Sequence, residues 1–66
     1  MSNNISNNLK KLRDKQAYSL EKVARLADLS LNTIVKIESG VNKNPTIDTL
    51  TKIAKALEVS VDDLIN

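Results

Sequence analysis

Sixty-six residues allow one small domain, whose core must pack close to ideally or be helped by a partner. The chain has no Cys and no His. Disulfides, thiolate chemistry, the usual general base and the commonest metal ligand are therefore missing. Seven Lys or Arg stand against three Asp or Glu in residues 1–36, and three against five in residues 37–66, for a net charge of +2. Tyr18 is the single aromatic, which argues against the stacking platforms that bind single strands or RNA.

Taken in order, the start MSNNISNN lacks the basic and apolar regions of a signal peptide, so no leader is expected. No apolar run approaches the ~20 residues of a membrane span. Residues 2–16 predict a first helix. Ser2, Asn3 and Asn4 are cap-type residues, and Ile5, Leu9 and Leu12 form its apolar stripe. Lys10, Lys11, Arg13 and Lys15 lie toward its C-terminal end, where the helix dipole favours cations; their simplest role is a solvated face. Gln16 and Ala17 end the helix.

Residues 19–40 read as two short amphipathic helices, 20–27 and 31–39, around a tight turn. Ser19 and Ser30 stand where a side-chain oxygen caps the first free N–H groups. Tyr18 and Val23 have the spacing of a hydrophobic staple, whereas Lys22 stands where a capping box wants Glu or Gln. Leu20, Val23, Ala24 and Ala27 recur at helical spacing. So do Ile34 and Ile37, with Leu31 or Val35 at the margin. Ala24 is small where the second helix must cross. Asp28 suits a turn position of positive φ, and Leu29 follows as an apolar plug. Gly40 stands where a left-handed residue closes the next helix.

The loop 39–44 is polar, and Pro45 stops any continuation. Thr46 caps a fourth helix, 47–57, with a predicted core stripe of Ile47, Leu50, Ile53, Ala54 and Leu57. Asp48 early, with Lys52 and Lys55 late, again suits the dipole. Glu58 and Val59 link to Ser60, which caps a last short helix, 61–65. The fold class is all-α: five compact helices in one domain, 1–66, with a helix-turn-helix at 19–40.

The run Ala24-x-x-x-Asp28-Leu29-Ser30-x-x-Thr33-Ile34-x-x-Ile37-Glu38-x-Gly40 resembles the helix-turn-helix of the phage repressor/Cro, or XRE, family. Residues 45–65 resemble that family's second half, so the likeness covers nearly the whole chain. Asp28 replaces the usual turn Gly, Ala17 stands where Gly is common, and Leu20 where Gln is common. The resemblance implies a sequence-specific regulator of transcription, foremost a repressor. It would bind double-stranded DNA in the cytoplasm as a homodimer on a palindrome, and would not be an enzyme. Neither cofactor, metal nor membrane is implied. It also implies an ion pair between Arg13 and Glu38.

In such a fold the helix 31–39 enters the major groove with side chains near its N-terminus at the base edges. Leu31, Asn32 and Lys36 are the expected base contacts, because Ile34 and Ile37 must point inward. Asn32 suits adenine N6 and N7, Lys36 suits guanine O6 and N7, and Leu31 suits a thymine methyl. Thr33 and Val35 flank them. Backbone contacts are expected from Ser19, the N–H of Leu20, Thr33, Asn42, Lys43 and Asn44. Val41, Val61 and Ile65 are dimer candidates that would also suit a core; Ile47 has the same chemistry and is assigned to the core. The competing reading is a protein-interaction module that keeps the fold and binds through Leu20 and Leu31, both expected to be exposed. Fold alone does not choose between the two, and no nucleophile–base pair, metal cluster or phosphate-cradling glycine loop supports an enzyme.

Overall fold

The helix starts follow from single side chains. In the computed structural model, which describes residues 4–66, Ser19, Ser30, Thr46 and Ser60 each accept a hydrogen bond from the backbone N–H three residues on. These caps open α2 (Leu20–Ala27), α3 (Leu31–Glu38), α4 (Ile47–Leu57) and α5 (Val61–Ile65). At α5 Asp63 returns the bond to the N–H of Ser60, completing a capping box that the sequence reading did not identify. The first helix, α1, spans Ile5–Lys15. Of its expected caps, Ser2 and Asn3 lie outside the described residues. Asn4 holds the N-cap position, but its side chain makes no capping bond. At the far end Gln16 has left the helix, and Ser39 is likewise the cap of α3 and not its last residue.

Three helix ends share one exit. Ala17, Asp28 and Glu58 have φ of 57°, 58° and 58°, and each is followed by an apolar residue and then a serine cap. The N–H of that apolar residue (Tyr18, Leu29 or Val59) reaches back to the carbonyl of Arg13, Ala24 or Ala54, at 3.0, 2.9 and 2.9 Å. This is the Schellman arrangement, whose apolar residue folds back on its helix, and all three pack against the core. The positive φ expected for Asp28 is present; the one at Glu58 was not expected. Gly40, at φ 85°, ends α3 and leads into the longer loop before α4.

α2 packs on α3 and α4, α1 on α3 and α5, and α4 on α5. Between them lie twelve buried apolar residues, and no polar or charged residue is buried among the described ones. Leu9, Val23, Ile34, Ile37, Ile53, Leu57 and Leu64 are the largest fully enclosed side chains. One expected member is absent. Ile47 is 72% exposed, and Thr46 and Asp48 beside it are exposed too. Helical spacing admits Ile47 to the stripe of Leu50 and Ile53, but no neighbouring element covers the first turn of α4.

α1 and its C-cap residue hold α3, α4 and α5 by their C-terminal ends. The last four carbonyls of a helix have no partner within it. The Ser6 hydroxyl donates to the Glu38 carbonyl of α3. Asn8 Nδ2 donates to the Leu64 carbonyl of α5 at 2.8 Å, and Gln16 Nε2 to the Leu57 carbonyl of α4 at 2.7 Å. Ser6 and Asn8, in the Asn/Ser-rich start of the sequence, thus supply tertiary contacts.

Candidate nucleic-acid interface

α3 is amphipathic because its two faces have different tasks. Ile34 and Ile37, 0% and 1% exposed, anchor it in the core. The opposite face leaves Leu31, Asn32, Val35 and Lys36 exposed. The Ser30 hydroxyl accepts from Thr33 N–H at 3.1 Å and shares a second bond with the Thr33 hydroxyl at 2.8 Å. Thr33 is half-buried, and its hydroxyl belongs to this cap. The N–H groups of Leu31 and Asn32, the first of the helix, have no intrahelical acceptor and mark the positive end of its dipole.

The far end of α3 is clamped. Arg13 Nε donates to Glu38 Oε1 at 2.7 Å and Nη2 to Oε2 at 3.1 Å, a two-pronged ion pair. A third donor, Nη1, reaches the Tyr18 carbonyl at 2.8 Å. Both side chains are largely shielded, at 17% and 11% exposure. One guanidinium therefore ties α1, the exit toward α2 and the end of α3 together. The hydrogen bonds to Glu38 raise the Arg13 pKa above its ordinary value, against a weaker opposing effect of burial. The charge thus persists at any ordinary pH.

Ser19 is exposed, and its hydroxyl accepts from Lys22 N–H at 3.0 Å. Lys22 Nζ lies 5.7 Å from the centre of the Tyr18 ring, a cation–π contact at the entry to α2. Leu20 is half-buried and packs against the core, which corrects the expectation of an exposed leucine there. Its side chain packs on the inner face of α2, which leaves less apolar surface for the Leu20/Leu31 face of the competing reading. After α3, Asn42 N–H donates to the Lys36 carbonyl at 2.9 Å, and Asn42 Oδ1 accepts from Asn44 N–H at 3.1 Å. The loop is folded back onto the helix end, with the side chains of Lys43 and Asn44 exposed.

The dimer candidates divide. Val41 and Ile65 are 75% and 42% exposed, while Val61 is half-buried against the core. A shallow cleft of about 380 Å³ between α1 and the α4 exit is lined by Leu12, Lys15, Gln16, Leu57, Glu58 and Val59; it shares no residue with α3. Among the described residues no group of His, Cys, Asp or Glu could hold a metal ion, and no helix is long and apolar enough to cross a membrane. Sequence reasoning missed the α1 side chains that fix the helix ends, and gave Val35 only a marginal place. Its 39% exposure, four residues from Leu31, puts it on the same outward row.

Comparison with known proteins gives a consistent picture. Residues 9–64 match the helix-turn-helix family. The HTH-type transcriptional regulator SinR of Bacillus licheniformis is 34% identical over 62 residues, which cover 94% of this chain and 56% of that protein. The chain thus spans about half the length of these curated relatives. Among solved structures, the N-terminal DNA-binding domain of SinR from Bacillus subtilis superposes with a TM-score of 0.88 at 33% identity, covering 92% of this chain and 88% of that one. SinR, the master regulator for biofilm formation, in complex with DNA superposes with a TM-score of 0.87 at 33% identity, covering 91% and 95%.

Proposed function

The chain belongs to the helix-turn-helix family, of the repressor/Cro type, and from that premise we propose that it is a sequence-specific regulator of transcription, acting as a repressor. α3 lies in the major groove of double-stranded DNA, and its N-terminal half reaches the base edges. The carrying observation is the outward face of α3: Leu31, Asn32 and Lys36 exposed on a helix held by Ile34, Ile37 and the Arg13–Glu38 clamp. Asn32 makes the paired contact to adenine, and Lys36 donates to guanine. Ser19, the N–H of Leu20 and the loop residues Asn42, Lys43 and Asn44 meet flanking phosphates, with Thr33 supporting the start of the helix. The helix starts favour anions there. The relatives carry the names of transcriptional regulators, not of enzymes, which supports the same reading.

One domain of this size makes few phosphate contacts, so two copies on a palindrome, with half-sites about one helical turn apart, are the working form. The exposed Val41, Ile47 and Ile65, with Val61 at the margin, supply apolar surface for that pairing. Sedimentation of the chain with and without duplex would give the stoichiometry. A cytoplasmic location follows from the same reading, since the regulator must reach its DNA.

The test is binding to random duplex as salt is raised. A DNA-binding domain gives a log–log slope set by the phosphates it neutralises. A flat response would exclude DNA as the ligand. Selection from a randomised duplex pool would then give the half-site and its symmetry.

A further inference from the structure

The exposed face of α3 carries two parallel rows. Asn32 and Lys36 form a polar row; Leu31 and Val35 form an apolar one, each pair four residues apart and so on one line of the helix. Leu31 is 42% exposed and Val35 39%. Neither belongs to the core, which is closed beneath them by Ile34 and Ile37 at 0% and 1%. Within each row the two side chains are about 6 Å apart along the axis, the rise of four helical residues. Stacked bases repeat at about 3.4 Å along a strand, so one row spans roughly two base steps.

A leucine and a valine have no hydrogen bond to offer in the groove. The one apolar feature of the major-groove edges is the thymine 5-methyl group. Val35 is stiff about its first torsion, so its methyls keep a fixed direction and little rotamer freedom is lost on contact. The apolar row is continuous with Asn32 and Lys36, so whatever meets the polar row meets it as well. A cation within that face matches a polyanion better than an apolar protein surface.

We propose that Leu31 and Val35 act together as specificity-determining residues that read the 5-methyl groups of two thymines in each half-site. This rests on the DNA-binding reading given above and extends it. Asn32 and Lys36 choose bases by hydrogen bonds, and Leu31 and Val35 choose by contact with methyl groups. The half-site is therefore expected to contain thymines at two positions no more than about two steps apart.

The experiment uses the 66-residue chain and the duplex that it selects from a randomised pool. Each thymine is replaced in turn by deoxyuridine, which removes only the methyl group. Two replacements are expected to weaken binding about fourfold each, the equivalent of one buried methyl, and the others to have little effect. Leu31→Ala is expected to abolish the loss at one of the two positions and Val35→Ala at the other, with the salt slope unchanged because no cation is removed. Both residues are exposed, so neither variant opens the core. The proposal is overturned if the selected half-site lacks such thymines, if no deoxyuridine replacement changes affinity by more than about twofold, or if the Leu31→Ala/Val35→Ala double variant still prefers thymine. In those three cases salt-dependent duplex binding persists and the DNA-binding reading survives. Absence of salt-dependent binding would overturn both.

Discussion

Of the three helix pairs joined by the same turn, two make the sharper contrast. Between α2 and α3 the pivot is Asp28, and between α4 and α5 it is Glu58; both sit at φ 58° and ψ 43°. Both turns close with N–H bonds of 3.2 and 2.9 Å to the preceding helix, plug the bend with an apolar residue, and end in a capping serine. Yet the second helix of each pair presents a different surface. α3 shows Leu31, Asn32, Val35 and Lys36 to solvent, while α5 is five residues long and carries Asp62 and Asp63 in its first turn. Phosphates would be drawn to the first surface and repelled by the second. Turn geometry thus makes a helix pair, and the exposed row of side chains gives it a use.

The comparison is broken most forcefully in the core that both pairs share. Ile34→Ala in α3 and Leu64→Ala in α5 each remove a side chain at most 1% exposed, and each is expected to cost about 2–5 kcal/mol. For so small a domain, either would largely unfold the chain. Urea melts followed by circular dichroism would show it, and full helicity after Leu64→Ala would mean that α5 is dispensable.

Next is the clamp, which only the α2–α3 pair has. Glu38→Ala leaves the shielded Arg13 guanidinium with the Tyr18 carbonyl and the exposed Asp14 carboxylate, 3.6 Å away. The expected loss is about 2–3 kcal/mol, near the lower limit for a broken buried pair because some solvent and two partners remain. Because the Arg13 pKa is raised, the contribution is complete at neutral pH and is lost only as pH climbs through the raised value. A pH titration of the melting temperature should thus show no step from Arg13 between pH 5 and about pH 9.

The exposed row is tested by two lysines. Lys36→Ala is expected to relax preference at one base pair by about 1–3 kcal/mol, while Lys43→Ala weakens all sequences alike and lowers the salt slope by about 1. Competition binding with single-base variants of the selected duplex separates the two. The reverse result would exchange their roles.

The two caps offer a smaller contrast. Ser30→Ala and Ser60→Ala should each cost about 1 kcal/mol, with the larger loss at Ser30, where the bond to the Thr33 hydroxyl goes as well, whereas the backbone N–H of residue 60 still donates to Asp63. Smallest is the pivot itself. Glycine is easy at positive φ, whereas ordinary L-residues are strained there by about 1–2 kcal/mol, part of which glycine's greater unfolded-state freedom offsets. Glu58→Gly is therefore expected to stabilise by about 0.5–1 kcal/mol, and Asp28→Gly by less, since Asp tolerates that conformation better. Thermal melts of the two variants side by side would rank the strain.

Most of the fold was legible because it is written within four or five residues. Ser19, Ser30, Thr46 and Ser60 announce helix starts through bonds to the N–H three residues on. The spacing of Leu50, Ile53 and Leu57 announces a buried face, and the pattern from Ala24 to Gly40 announces the turn. Ile47, expected in the core, and Leu20, expected at the surface, went astray for one reason. Ile47 and Leu20 are each the first residue of a helix, on the margin of an apolar stripe, where spacing is satisfied by either outcome. A neighbouring element covers Leu20 and leaves Ile47 in water.

What the sequence determined on its own was the set of helices, their order and their inward faces, since hydrogen bonding and side-chain periodicity are local. The tertiary structure alone decided which polar residues of α1 and its cap meet which helix end, through contacts that span 32, 56 and 41 positions for Ser6, Asn8 and Gln16. It also decided that Val35 shares an open row with Leu31. Such matters depend on how rigid helices cross, and no short stretch of chain encodes a crossing.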